Sequence, residues 1–220
     1  VAALRHEGHH VKTVAEGDPL SLWVSQEVQS SPESVSLDAN LVAGQELWGV
    51  LSWGEEQPQA WTAARAAAEM AAADAYWQDW VASLPNLPTD LHQHRCHALL
   101  LKLLTYAPTG APVAAPTSSL PERVGGERNW DYRYSWVRDA ALCISVLSQI
   151  GDLASSRRYM DCLVTYRSST DSPLQVVYGV DGELDLPEHL RWDLAGYRDS
   201  RPVRAGNRAC GQRQLDSLGF

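Results

Sequence analysis

Residues 125–139 read GGERNWDYRYSWVRD, and this stretch guides the assignment of the fold. Its fifteen positions hold four aromatic residues, three arginines and three acids, which is typical of neither a core strand nor an amphipathic helix. Aromatic faces cover the C–H face of a sugar ring, while arginine and aspartate take its hydroxyls as donor and acceptor. The alternative is a loop closed by an Asp–Arg salt bridge and capped by tryptophans. The local composition leaves both interpretations open.

Four further blocks surround this stretch. They are LKLLTYAPTG at 101–110, VAAPTSSLPE at 113–122, YGVDGE at 178–183 and GYRDSRPVRAGN at 196–207. In this order and spacing, the set resembles bacterial members of glycoside hydrolase family 15, the glucoamylase-like and trehalase-like enzymes. The resemblance is close over about residues 95–220, whereas residues 1–90 match only in layout.

The resemblance implies an α+β multidomain fragment. The catalytic domain of the family is an (α/α)6 barrel, whose helices form two concentric rings. We therefore expect residues 1–56 to be the last strands of an antiparallel β-sandwich and residues 57–90 to be a linker helix. Residues 91–220 would be the first part of the barrel.

Hydrophobic periodicity and turn residues predict the elements. Three or four antiparallel strands are predicted within residues 11–53, separated by turns at 16–19 and 30–32. Helices are predicted at about 61–81, 91–106, 134–150, 152–166 and 206–218. Gly151 should end the helix at 134–150, and Asp152 should cap the helix at 152–166. Long loops are predicted at 107–133 and 169–205, and the nearly all-apolar run 98–104 is expected to be buried.

The composition narrows the classes of partner. A net charge of −9 gives no basic surface for nucleic acid, and no apolar run is long enough to span a membrane. Four widely separated cysteines without a C-x-x-C pair predict neither a zinc site nor a disulfide framework, and are typical of a cytoplasmic protein. We expect no cofactor or metal, and an α-glucoside, small or oligomeric, as the ligand. The oligomeric state is not indicated.

By motif position, Arg138 and Asp139 match the Arg–Asp pair that grips the hydroxyls of the terminal glucose in the family. The resemblance places Tyr132 and Trp136 on the aromatic wall of the same pocket. Each charge of the pair would offset the desolvation of the other in a water-excluding site. The alternative is an ion pair at a helix N-terminus.

Further pocket residues are implied by the same resemblance. Trp130 would line the pocket or pack the loop, and Tyr197 would supply a platform for an outer sugar unit. Arg204, with Arg201 and Asn207, lies in the second pocket loop of the family.

The catalytic residues of the family are two glutamates from later barrel loops, acting as acid and base in an inverting hydrolysis. Glu122, Glu127 and Glu183 do not occupy those motif positions, so no catalytic residue is assigned here. The expected function is a fragment of an inverting α-glucoside hydrolase that keeps the innermost sugar subsite. The alternatives are a non-catalytic or degenerate carbohydrate-binding protein and a helical-barrel phosphorylase, although no phosphate-binding cluster is evident.

Overall fold

The computed structural model describes residues 3–14, 20–31, 34–54, 60–88, 92–168 and 174–218. The chain divides into two compact units, Val1–Gln78 and Asp79–Phe220. The described residues form a mixed α+β structure with antiparallel sheets and four α-helices. The turn predicted at 16–19 lies outside the described residues, as does the proline of the turn predicted at 30–32.

The first unit contains an antiparallel sheet, as predicted. Its strands are β1 (Ala3–Glu7), β2 (His10–Val14), β3 (Leu20–Val24), β4 (Gln29–Ser30), β5 (Val35–Ser36) and β6 (Gly49–Trp53). Four of them pair in the order β1-β2-β3-β6, and β4 pairs with β5. Val11, Val24 and Val28 form the buried core of this unit. The sheet is therefore held by a small cluster of branched side chains.

Four α-helices lie close to their predicted positions. They are α1 (Ala63–Ala82), α2 (His92–Leu103), α3 (Val137–Ile150) and α4 (Leu153–Ser168). The described second unit also contains short strands and 3-10 turns, joined by loops. They are β7 (Ser135–Trp136), β8 (Val177–Tyr178), β9 (His189–Arg191), β10 (Val203–Ala205) and the 3-10 turns Tyr197–Asp199, Arg208–Gly211 and Leu215–Leu218.

The junction between α3 and α4 confirms the predicted stop and cap. Gly151 adopts a left-handed conformation with φ of 105°, and its N–H donates to the carbonyls of Leu147 and Ser148. Asp152 then accepts a hydrogen bond from the backbone N–H of Ser155 at 3.1 Å. Gly151, which has no Cβ to clash in this conformation, therefore ends α3, and the carboxylate of Asp152 caps the start of α4.

Two predicted helix boundaries are wrong. Helix α3 begins at Val137 instead of near residue 134, because Ser135 and Trp136 are extended and pair with β8. Residues 206–218 form 3-10 turns instead of an α-helix. Gly206 has φ of 88°, outside the helical region, and Asn207 caps only a short turn by accepting from the N–H of Ala209.

The main core of the second unit lies between α3, α4 and the loop after α2. It is a cluster of buried residues, namely Ala111, Ala140, Ile144, Leu147 and Tyr159. The apolar run 98–104 was expected to be buried, and it is buried only in part. Ala98 is buried, but Leu100 is 52% exposed and Leu103 is 66% exposed. Ala98 packs against Leu84 and Leu87, and Leu101 packs against the main core.

A buried polar network ties this core together. Asp152 accepts hydrogen bonds from the indole N–H of Trp80 at 3.1 Å and from the ammonium group of Lys102 at 3.2 Å. The hydroxyl of Ser155 donates to the same carboxylate at 2.6 Å. Burial alone raises the pKa of Asp152, but the bonds from Ser155 and Lys102 outweigh it and lower the pKa below its usual value. The ionised form is therefore favoured by folding.

We expect Asp152→Asn to lower the free energy of unfolding by about 2 kcal/mol, because charge-assisted bonds are lost and Lys102 loses its counter-ion. Since the pKa is lower in the folded state, the stabilisation is present above pH ~4, the usual aspartate value, and is lost as the pH falls through the folded-state value. Urea unfolding at several pH values measures both effects. Asp161→Asn, on the same helix, is the control, and an equal loss there would contradict the account.

Candidate functional site

One cavity of about 480 Å³ lies within the second unit. Its lining residues come from loop segments, from β7 and β10, and from the 3-10 turn Arg208–Gly211. They are Trp130, Tyr132, Trp136, Glu188, Arg204, Asn207, Arg208, Ala209 and Gln212. The structure therefore brings together five of the pocket residues expected from sequence, namely the three aromatic residues, Arg204 and Asn207.

Arg204 and Glu188 form a largely buried ion pair in this cavity. Nη1 of Arg204 lies 2.6 Å from Oε1 of Glu188, and the two side chains are only 14% and 9% exposed. The guanidinium carbon of Arg204 also lies 4.7 Å from the ring centre of Trp130. Each charge offsets the desolvation of the other, and the cation stacks on the aromatic face. The result is a charged group held against one aromatic wall.

The backbone around Arg204 is fixed by two serines. Strands β9 and β10 pair so that Arg204 lies opposite Leu190. Glu188 directly precedes β9, so this pairing brings it near Arg204. The N–H of Arg204 donates to the hydroxyl of Ser119 at 2.7 Å, and its carbonyl accepts from Ser118 at 2.5 Å. The loop at 113–122 therefore anchors the strand that carries the arginine.

Asp131 joins the two loops that form the cavity. Its carboxylate is fully buried and accepts from Nε and Nη2 of Arg133 at 2.8 and 2.7 Å. Oδ2 also accepts from the N–H of Gly206 at 3.1 Å, and the carbonyl of Asp131 accepts from the side-chain amide of Asn207 at 2.9 Å. The segment with Trp130 and the segment with Arg204 are therefore bonded through one aspartate.

Gly206 allows the second of these segments to approach closely. Its φ of 88° is disfavoured for residues with a Cβ, and a Cβ at this position would lie 1.8 Å from the carbonyl oxygen of Pro187. Only glycine therefore fits at this position, directly after β10.

Trp136 and Tyr132 form the other aromatic side of the cavity. Trp136 is held in β7 opposite Val177, and its indole N–H is buried without a hydrogen-bond partner among the described residues. Burial raises the pKa of the Tyr132 phenol, and the nearby charges of Glu122 and Asp139 raise it further. Trp136 directly precedes the first residue of α3, so the start of this helix adjoins the wall.

Arg138 and Asp139 lie at the first turn of α3. Nη2 of Arg138 lies 3.2 Å from Oδ2 of Asp139, and Nη1 lies 2.9 Å from Oδ2 of Asp216. The three side chains are between 36% and 45% exposed, so both charges of the pair are partly hydrated in this chain. Neither residue lines the 480 Å³ cavity, and Asp139 instead lines a second groove of about 280 Å³ with apolar residues of α2 and α3.

Tyr197 lies apart from the cavity. It begins a 3-10 turn, is 48% exposed, and its ring lies 5.3 Å from the guanidinium carbon of Arg198. Arg201, also in this loop, donates to the carbonyl of Trp192 at 2.9 Å. The structure therefore separates these two loop residues from Arg204.

Sequence reasoning missed the contribution of Asp131, Glu188 and Gln212. Asp131 and Arg133 are two residues apart, a spacing that places side chains on one side of an extended chain, and this signal was available. Glu188 had no local signal, because its partner Arg204 is sixteen positions away and meets it only through the pairing of β9 with β10.

The described ranges contain no group of three or more histidine, cysteine, aspartate or glutamate residues placed to hold a metal ion. Within the same ranges, no helix has the length and apolar character needed to cross a membrane.

Comparison with known proteins assigns the chain to a family. The family model for glycosyl hydrolases family 15 matches residues 93–220. A trehalase from Mycolicibacterium smegmatis is 42% identical over 184 residues, covering 81% of this chain and 27% of that protein. A trehalase from Thermoplasma volcanium is 43% identical over 144 residues, covering 66% of this chain and 23% of that protein.

A trehalase from Mycobacterium tuberculosis is 40% identical over 181 residues, covering 80% of this chain and 26% of that protein. The chain thus spans about a quarter of the length of these curated relatives. No solved structure was found to match it. Because the family model covers more than half of the chain, including every residue that lines the cavity, the chain belongs to glycosyl hydrolases family 15.

Proposed function

We propose that this chain forms the substrate-holding part of an inverting α-glucoside hydrolase, and that trehalose is the favoured substrate. Three relatives with about 40% identity are named trehalase, which supports trehalose over other α-glucosides. Glucoamylase-like substrates, the α-glucans, remain the alternative within the same family.

The observation that carries this proposal is the composition of the cavity. Three aromatic side chains and a buried Arg–Glu pair line one space of about 480 Å³, which is within the usual size of small-ligand sites. The aromatic faces suit the C–H face of a glucose ring, and the charged pair offers a donor and an acceptor for its hydroxyls. Trp130, Tyr132, Trp136 and Arg204 are the proposed substrate contacts.

Arg138 and Asp139 are proposed to contact the hydroxyls of the terminal glucose next to this wall. Their place in the first turn of α3, directly after Trp136, supports this assignment. Their exposure means that both charges are partly hydrated in this chain, so a ligand must displace water to reach them. Tyr197 is proposed as the platform for an outer sugar unit, which its exposed ring would suit.

The catalytic acid and base are proposed to lie outside residues 1–220. Inverting hydrolysis needs two carboxyl groups about 6.5–9.5 Å apart across the sugar. Glu122, Glu127 and Glu183 do not line the cavity, and Glu188, which does, is bonded to Arg204. The relatives are about four times as long as the matched segment, which leaves room for both groups elsewhere.

We also propose that α2, α3 and α4 are the first helices of an (α/α)6 barrel within residues 91–220. Residues 1–56 would be the end of a β-sandwich, and 57–90 the linker. Apolar side chains on the outer faces of these helices support this arrangement, since barrel helices need partners on two sides. The exposed apolar side chains, all more than 40% exposed, are Leu100, Leu103, Leu142, Val146, Leu153 and Val164.

The chain alone is expected to release no glucose from trehalose, maltose or isomaltose, because no motif glutamate is present. Glucose release by purified protein over a buffer blank measures this. Turnover that Glu127→Gln or Glu183→Gln abolishes would contradict the assignment of the chemistry. Turnover that neither variant changes would place the reaction on another group, and Glu188→Gln would then test the cavity itself.

A further inference from the structure

We infer that Glu188 contacts the substrate and determines its specificity, by accepting a hydrogen bond from a hydroxyl of the glucose unit in the cavity. This inference rests on the proposed function and assigns a role to a residue for which the family resemblance gave none. The argument depends on which oxygen of the carboxylate is already bonded.

The two oxygens of Glu188 have different surroundings. Oε1 accepts from Nη1 of Arg204 at 2.6 Å. Among the described residues, no group donates to Oε2, and this oxygen is not among the fully buried atoms that lack a partner. The side chain lines the cavity and is only 9% exposed, so the cavity is the space beside it that a ligand could enter. Oε2 is therefore an available acceptor in an otherwise enclosed position.

Arg204 fixes this acceptor in place. Besides Glu188, its guanidinium stacks on Trp130 and donates from Nη2 to the carbonyl of Glu127 at 3.3 Å, so it cannot turn away without losing three contacts. A carboxylate with one oxygen held and the other free accepts a hydroxyl with little loss of side-chain entropy. Hydrogen bonds to an ionised acceptor are also roughly twice as strong as neutral ones.

The placement also predicts selectivity. Arg204 covers one face of Trp130 and bonds Glu188, so the carboxylate lies beside the aromatic side chains on which a sugar ring would stack. A site built to bond one hydroxyl rejects the analogue that lacks it, since the acceptor is then left unpaired. One hydroxyl position of glucose should therefore matter more than the others.

The test combines variants of the 220-residue chain with analogues of trehalose, and the affinity of each pair is measured by NMR titration. Trehalose and the set of trehaloses deoxygenated at one position are titrated into wild type, Glu188→Gln and the control Asp161→Asn. Asp161 is exposed on α4 and does not line the cavity. We expect Glu188→Gln to weaken trehalose binding about tenfold or more, the size of one strong hydrogen bond, and Asp161→Asn to change it less than about twofold, as for a group outside the contact.

One deoxy analogue should bind wild type more weakly than trehalose does, and this difference in affinity should disappear in Glu188→Gln. Equal losses in both proteins at every position would overturn the inference and leave the proposed function standing. Failure of wild type to bind trehalose at all would instead overturn the proposed function, and the inference with it. If Glu188→Gln does not fold, Glu188→Asp takes its place, because it keeps the charge opposite Arg204 but draws the carboxylate back from the cavity. The affinity difference for the same deoxy analogue should disappear in this variant too.

Discussion

Asp131→Ala is expected to lower the free energy of unfolding by about 3 kcal/mol, the upper end of the range for leaving a buried backbone donor unpaired. The change removes a fully buried carboxylate and leaves the N–H of Gly206 without its acceptor. Arg133 is half-exposed and can be hydrated, so most of the loss comes from the unpaired buried backbone groups. Urea unfolding followed by circular dichroism measures the change.

A matched control for Asp131→Ala lies in the same unit. Arg191 and Asp193 make the same two-bond contact across two residues, at 2.8 and 2.6 Å, but both side chains are more than half exposed. Asp193→Ala should therefore leave stability almost unchanged, since exposed pairs contribute little. Equal losses in the two variants would show that Asp131 is not the bond that joins the two cavity loops.

Gly206→Ala is expected to be at least as damaging, with a loss above about 4 kcal/mol or no folded protein at all. A Cβ would lie 1.8 Å from the backbone oxygen of Pro187, and a φ of 88° adds strain for alanine. Because the neighbouring groups are backbone, relief requires moving the β9–β10 hairpin that carries Arg204. Any folded fraction should therefore also lose trehalose binding.

Gly211→Ala is the control for this steric argument. Gly211 lies five residues further along, has no heavy atom within 4 Å of a Cβ position, and its φ is not in the left-handed region. Its replacement should change stability by less than about 1 kcal/mol. A folded Gly206→Ala protein with unchanged stability would mean that the close approach to Pro187 is not a feature of the protein in solution.

Local signals predicted the parts of the fold that depend on neighbours in sequence. Gly151 and Asp152 decide the end of α3 and the start of α4 through bonds within four residues, so the sequence predicted both. The start of α3 was misplaced because Trp136 pairs with Val177, forty-one positions away. Pairing across that distance leaves no periodic signal in the chain itself.

The candidate site follows the same rule. Trp130, Tyr132 and Trp136 alternate along one short segment, and a segment this dense in aromatic residues could be recognised without the structure. Arg204 was indicated only by resemblance. Glu188 and the role of Asp131 required the three-dimensional contacts, because their partners Arg204 and Gly206 come from another loop.

The central claim is that the cavity beside Trp130 and Trp136 holds a glucose unit of trehalose. It is tested most directly by observing the indole N–H signals of the ¹⁵N-labelled chain while trehalose is added, with Trp130→Phe and Trp136→Phe used for assignment. The account predicts that these two signals shift along one saturable curve, while those of the exposed Trp53 and Trp192 do not move. Sorbitol, which has no ring to stack, should leave all of them unchanged. Trehalose that shifts neither Trp130 nor Trp136, or that shifts Trp53 and Trp192 equally, would contradict the claim.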